Sequence, residues 1–134
     1  MSHEDVHGNG YRLVLDYQPP LLCARVFGND DSSLTVTSEY WVAIIQRLRA
    51  LGASQLLVLD AKESDVMSSA DLERFFVAIE GLGLEQAKIA YVEGRVDQMP
   101  RIQEAEIMAM ERGYTIRMFG NETDARVWLR YGSD

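Results

Sequence analysis

Apolar and polar positions change period several times along the chain. Over Tyr11 to Tyr17 the apolar side chains Tyr11, Leu13, Leu15 and Tyr17 alternate with Arg12, Val14 and Asp16. That period predicts a half-exposed strand. Pro19 and Pro20 break the run, and Leu21 to Phe27 is a second apolar stretch. Two strands joined this closely are expected to pair antiparallel. The polar run Gly28 to Ser33, with Asp30 and Asp31 at its centre, reads as a loop. From about Val36 the spacing becomes helical, with Tyr40, Trp41, Ile44, Ile45, Leu48 and Leu51 on one stripe. Thr37 or Ser38 is the expected cap at its start and Gly52 its stop.

Leu56 to Leu59 is a continuous apolar run bounded by Gln55 and Asp60, the pattern of a strand buried on both faces. After a loop over Ala61 to Met67, Ser68 stands three residues before Asp71, a capping-box-like start for the stripe Leu72, Phe75, Phe76, Ile79 and Leu82. Lys88 to Val92 predicts a further strand. Glu93 to Asp97 follows as a loop, and Pro100 suits the first turn of a third helix ending near Arg112 and Gly113. Thr115 to Phe119 predicts the last strand. Asn121 caps a final helix that buries Ala125, Trp128 and Leu129. The order is β-β-α-β-α-β-α-β-α. Five strands in a mixed sheet with four helices make an α/β layer fold, with right-handed crossovers between parallel strands. The pattern assigns 11–131 to a single domain. It leaves 1–10, polar and punctuated by glycine, as a flexible N-terminal tail.

Composition removes several chemistries. The chain has 134 residues, enough to bury a core without covalent staples. Its only cysteine is Cys23, which excludes an internal disulfide and a thiolate zinc site. Lying in an apolar strand, Cys23 reads as a small buried hydrophobe. Both histidines, His3 and His7, fall in the expected tail, so a rigid catalytic or metal-binding histidine is not expected. A net charge of −8 argues against a nucleic-acid surface, which needs clustered cations. No apolar run reaches the roughly 20 residues of a membrane span. The N-terminus lacks the basic and apolar regions of a signal peptide, and with a single thiol the expected location is cytoplasmic. Gly28 and Gly120 stand alone, without phosphate-binding spacing. Asp16 and Asp60 alone do not make the acidic set of a response-regulator receiver.

The opening strand pair, the buried strand Leu56 to Asp60 leading to Met67 to Leu72, the strand Lys88 to Val92 and the closing run from Gly113 through Leu129 together resemble the STAS-like superfamily. The likeness is to the SpoIIAA-like branch of small bacterial proteins and extends over nearly the whole chain. It implies the same fold and a regulatory or binding module rather than an enzyme. In the superfamily's anti-sigma-factor antagonists, an Asp-Ser-Ser-Gly-Leu motif at the start of the second helix carries the phosphorylated serine. Matching that leucine to Leu72 puts Ser69 at the phosphorylated position. The preceding Asp is replaced by Ser68, the second Ser by Ala70 and the Gly by Asp71. The plainer alternative is that Ser68 and Ser69 cap the helix. SpoIIAA-like proteins also resemble lipid-binding folds in architecture.

Two further groups are candidates for function. Asp60 ends a buried strand, where α/β folds bind ligands, and neighbouring loops supply Glu63, Asp65, Glu93, Arg95 and Asp97. They match no metal loop, and a solvated rim is the preferred reading over an acid–base pair. On the third helix Met99, Ile107 and Met110 widen the inward stripe of Ile102, Ala105 and Ala109. They either finish the core or mark a partner or ligand surface, and Tyr40 and Trp41 raise the same question. The expected function is therefore a non-enzymatic STAS-like module contacting a protein partner or a small apolar ligand. No cofactor, metal or nucleic acid is expected, and peripheral membrane association and self-assembly stay open. The candidate surface comprises Asp60, Ser68, Glu93, Arg95, Met99, Ile107 and Met110. The alternatives are a phosphoswitch at Ser69 and a small enzyme using the loop carboxylates.

Overall fold

The computed structural model describes residues 2–28, 33–62 and 64–132. The loop residues Asp30 and Asp31 and the candidate Glu63 lie outside the described residues. Among the described residues the sheet has six strands: β1 (Ser2–His7), β2 (Tyr11–Gln18), β3 (Leu21–Gly28), β4 (Gln55–Asp60), β5 (Lys88–Glu93) and β6 (Thr115–Phe119). The helices are α1 (Leu34–Leu51), α2 (Ser69–Ile79), α3 (Met99–Glu111) and α4 (Glu122–Tyr131).

Spatial order equals chain order, β1-β2-β3-β4-β5-β6. The first three strands are antiparallel, and β3 to β6 run parallel. The crossovers through α1, α2 and α3 all step the same way across the sheet. With one handedness, such crossovers place every connecting helix on the same face. The core divides accordingly. Leu56 and Val58 of β4, with Ile89 and Tyr91 of β5, pack with Trp41, Ile44, Phe75, Phe76 and Ile102 of the three helices. Leu57, Leu59, Ala90 and Val92 point to the opposite face, where α4 covers them with Ala125, Trp128 and Leu129. The run Leu56 to Leu59 is buried on both sides, as its unbroken apolar pattern requires.

Two expectations are corrected. Residues 2–7 are not a loose tail but β1, which adds a sixth strand. Its only apolar side chain is Val6, so no alternation marks it. The backbone ladder to β2 holds it, from Ser2↔Tyr17 to His7↔Arg12. Exposed ion pairs add to this: Arg12 Nε donates to Asp5 Oδ1 at 3.0 Å and Arg47 Nε to Glu4 Oε1 at 2.8 Å. The start of α1 also lies earlier than expected. Ser33 is its cap and accepts from Val36 N at 3.2 Å, while Thr37 and Ser38 lie inside the helix. An apolar stripe beginning at Val36 carries no information about the turn ahead of it. Ser68 caps α2 through Asp71 N, Asn121 caps α4 through Asp124 N, and Gly52 ends α1 at φ +67°, all as expected.

Candidate functional site

The last residues of β4 and β5 are Asp60 and Glu93, partners in the parallel register. Side chains two apart share a sheet face, so Leu56, Val58 and Asp60 form one row and Ile89, Tyr91 and Glu93 the next. Both rows begin apolar under α2 and α3 and end in carboxylates beside the start of α1. Between this floor and the three helices lies a cavity of about 80 Å³. Its apolar wall includes Trp41, Leu72, Phe75, Ile89, Ile102 and Ala105. Its polar end is formed by Tyr40, Asp60, Lys62, Tyr91 and Glu93. It reaches the surface at Asp65, whose side chain is 71% exposed.

The polar end is densely connected. Tyr91 Oη donates to Asp60 Oδ2, and the backbone N of Lys62 donates to Asp60 Oδ1 at 2.9 Å. The Lys62 ammonium stands over the Tyr40 ring, 4.9 Å from its centre, an attraction of a cation to the ring's negative face. Glu93 Oε1 accepts from Arg95 N at 3.1 Å. Lys62 and Glu93 are only 6% and 3% exposed. Burial pushes the Glu93 carboxyl up to about 7, the Asp60 charge adds to this, and hydrogen bonds from the backbone of Arg95 and Gly94 oppose it. Glu93 can therefore hold or release a proton near neutrality. Burial first, and the Asp60 charge second, also raise the phenols of Tyr40 and Tyr91, which stay neutral.

Side chains from the segment after β5 and from α3 fasten the connection between β4 and α2 at the cavity mouth. Arg95 Nη1 donates to Asp65 Oδ1 at 2.7 Å and its Nη2 to Asp97 Oδ2 at 2.6 Å. Gln98 Oε1 accepts from Val66 N at 2.8 Å. Arg101 Nη2 donates to the Met67 carbonyl at 2.9 Å. Ser69, exposed in the first turn of α2, donates its hydroxyl to the Glu104 carboxylate on α3.

Of the residues singled out from sequence, Asp60 and Glu93 meet in the cavity and Arg95 braces its mouth. Ser68 and Ser69 sit at the start of α2. Met99 is half-buried against the core, whereas Ile107 and Met110 are 60% and 57% exposed and do not line the cavity. Those two therefore do not finish the core. The rim reading holds for the exposed Asp65 and Asp97 and fails for Glu93, which is enclosed. Sequence reasoning missed Lys62 and Tyr91. For Tyr91 a signal exists: it is two residues before Glu93 in one strand, so period 2 puts both on one face. A lysine in a loop gives no such signal.

Comparison with solved structures finds the crystal structure of an anti-sigma factor antagonist from Mycobacterium paratuberculosis. The TM-score is 0.59 at 19% identity, covering 89% of this chain and 93% of that one. The chain has a STAS-like fold. At this identity the likeness is one of fold. No family model matches the sequence, and no curated protein matches it significantly. Among the described residues no group of three or more His, Cys, Asp or Glu side chains is placed to hold a metal ion, and no helix is long and apolar enough to cross a membrane.

Proposed function

We propose that this STAS-like protein is a non-enzymatic binding module whose cavity between the sheet and α1–α3 takes a small ligand by its apolar part. The observation that carries this reading is the cavity itself, an apolar chamber of about 80 Å³ closed at one end by ionisable groups. Small-molecule sites have this character, a largely apolar wall with a few convergent polar groups. A cavity of about 150 Å³ accepts benzene, so this one holds an apolar group of about three or four carbons before the helices must part. An enzyme using the carboxylates needs the same concave site. The binding reading is preferred because Asp60 already accepts from Tyr91 Oη and Lys62 N.

The test is a titration of the full chain with xenon, a probe small enough for this chamber, followed by backbone amide NMR. Saturable shifts confined to residues lining the cavity are expected. They should vanish in Ala105→Leu, which fills the chamber from α3. Shifts that are absent, or that spread over the surface without saturating, overturn the reading.

A second reading, a protein-binding switch phosphorylated at Ser69, is supported by the exposure of Ser69 in the first turn of a helix, where backbone N–H groups favour a phosphate. The neighbouring fold belongs to an anti-sigma factor antagonist. Glu104 opposes it, because a phosphate on Ser69 would face that carboxylate. Intact mass after incubation with serine kinases, compared with Ser69→Ala, decides it: no Ser69-dependent addition removes this reading for the kinases tested.

A further inference from the structure

We infer that the polar end of the cavity recognises a positively charged head, so that the ligand class is a small ammonium compound with a short apolar tail. This rests on the reading of the cavity as a ligand site and adds the chemistry of the head group.

The charges facing the polar end come from every element around it. β4 contributes Asp60 and the residue pair after it contributes Lys62. β5 contributes Glu93 and the neutral phenol of Tyr91, and α1 contributes the neutral phenol of Tyr40. At the mouth, the Arg95 guanidinium is shared between Asp65 and Asp97. Among the described residues the polar end thus holds two carboxylates, Glu93 buried and Asp60 half-buried, and one buried ammonium, and the mouth repeats the imbalance with two carboxylates around one guanidinium. Each layer is one positive charge short.

The walls suit a cation as well. Tyr40 already carries the Lys62 ammonium on its face. Trp41 and Tyr91 lie stacked beside it, their ring centres 6.3 Å apart and 15° from parallel. Aromatic faces combined with carboxylates attract ammonium groups, and desolvation strengthens that attraction. An anionic head would meet Asp60 and Glu93 directly. A neutral hydroxyl would leave the imbalance in place.

Burial and the Asp60 charge raise the Glu93 carboxyl to about 7, so near neutrality a proton on Glu93 can take the place of the missing charge. An ammonium head replaces that proton, so binding and ionisation of Glu93 are linked. With a midpoint near 7, the ionised fraction of Glu93 rises about tenfold between pH 6 and pH 8. The affinity for a permanently charged ammonium rises by the same factor.

The experiment compares n-butylammonium, n-butanol and n-butyrate, which share one tail, by NMR titration of the full chain at pH 6 and pH 8. Butylammonium is expected to bind at least tenfold more tightly than either analogue at pH 8, and about tenfold less tightly at pH 6 than at pH 8. Glu93→Gln should lose this pH dependence while still binding xenon. If that variant does not fold, Asp60→Asn is read in the same titration, with weakened butylammonium binding expected. Butyrate binding most tightly, butanol matching butylammonium at pH 8, or butylammonium affinity independent of pH overturns the cationic head and leaves the cavity reading standing. Failure of all three compounds and of xenon removes the cavity reading and this inference with it.

Discussion

Glu93→Gln should stabilise the protein at pH 8 and do almost nothing at pH 4. The Glu93 carboxyl is 3% exposed and stands in register beside Asp60. Its midpoint moves from an ordinary 4.5 to about 7, chiefly because burial disfavours the charged form. The folded state therefore binds this proton more tightly than the unfolded chain does. The stability that Glu93 contributes is fully present below pH 4.5 and is lost as the pH rises through 7. The displacement is about two and a half pH units at about 1.4 kcal/mol each, a loss of about 3 kcal/mol above pH 7.

Glutamine keeps a carbonyl to accept from Arg95 N, and it never ionises. Urea unfolding of both proteins at intervals from pH 4 to pH 8 gives the difference directly. Other carboxylates titrate in the same experiment. Hydrogen bonds from Arg47, Arg12 and Arg95 hold Glu4, Asp5 and Asp97 below the usual range, so their contributions run the opposite way, lost as the pH falls. They are common to both proteins and cancel in the difference. The expected curve is near zero at pH 4, rises through pH 5 to 7 in favour of the variant, and levels at about 3 kcal/mol. A flat difference, or one that favours the wild type as the pH rises, refutes the placement of Glu93 in an enclosed site beside a second carboxylate.

Three further outcomes follow from other parts of the molecule. Lys88 Nζ donates to the carbonyls of Trp128 at 2.9 Å and Gly132 at 2.6 Å and lies 4.6 Å from the centre of the Trp128 ring, so Lys88→Met should remove these bonds from the end of α4, leaving Gly132 N and Gln55 Nε2 as its donors, and cost about 2 kcal/mol in urea unfolding. A variant as stable as the wild type would show that cap to be idle. Burial raises the Cys23 thiol, with Arg126 only partly opposing it, so iodoacetamide should label the native protein slowly and labelling should follow unfolding as urea is added. Fast labelling in native buffer would contradict its enclosure under α4. Gln98→Ala should quicken hydrogen exchange at the Val66 amide, whose partner it removes, and leave exchange in β4 unchanged; unaltered exchange at Val66, or equal quickening at both sites, would refute the local fastening.

How much of this was legible in the sequence depended on whether burial left a periodic trace. β2 and β4 were readable because one alternates and the other is apolar throughout, and α2 because Ser68 and the Leu72 to Ile79 stripe agree. β1 left no trace, because a strand with both faces largely in water needs only its backbone ladder. The candidate site was half visible. Asp60 could be placed at the end of a central strand, but the enclosure of Glu93 depends on α1 and on Lys62 reaching across Gly28, where a Cβ at that glycine would stand 3.4 Å from the lysine stem. That is a tertiary fact, and a run such as Glu93-Gly94-Arg95 looks the same in sequence whether its first residue is in water or under a helix.

The meeting of half-buried Asp60 with buried Lys62 and Glu93 at one end of the cavity bears on why the cavity exists. Removing carboxylates and an ammonium from water costs several kcal/mol each before their mutual attraction is counted, and well-packed apolar side chains of similar volume commonly give an equal or more stable fold. The floor of this cavity shows how little would be needed. Val58 and Tyr91 already sit one step back along the same rows, and apolar side chains at 60 and 93 would extend the core to the strand ends and close the chamber. Folding therefore gives no reason for the polar end. Local rules are broken here at three neighbouring positions while the surrounding strands, caps and apolar stripes obey them, which is the pattern expected where a protein binds something. The same reasoning separates this cluster from the exposed pairs on β1, whose charges remain in water and cost the fold almost nothing.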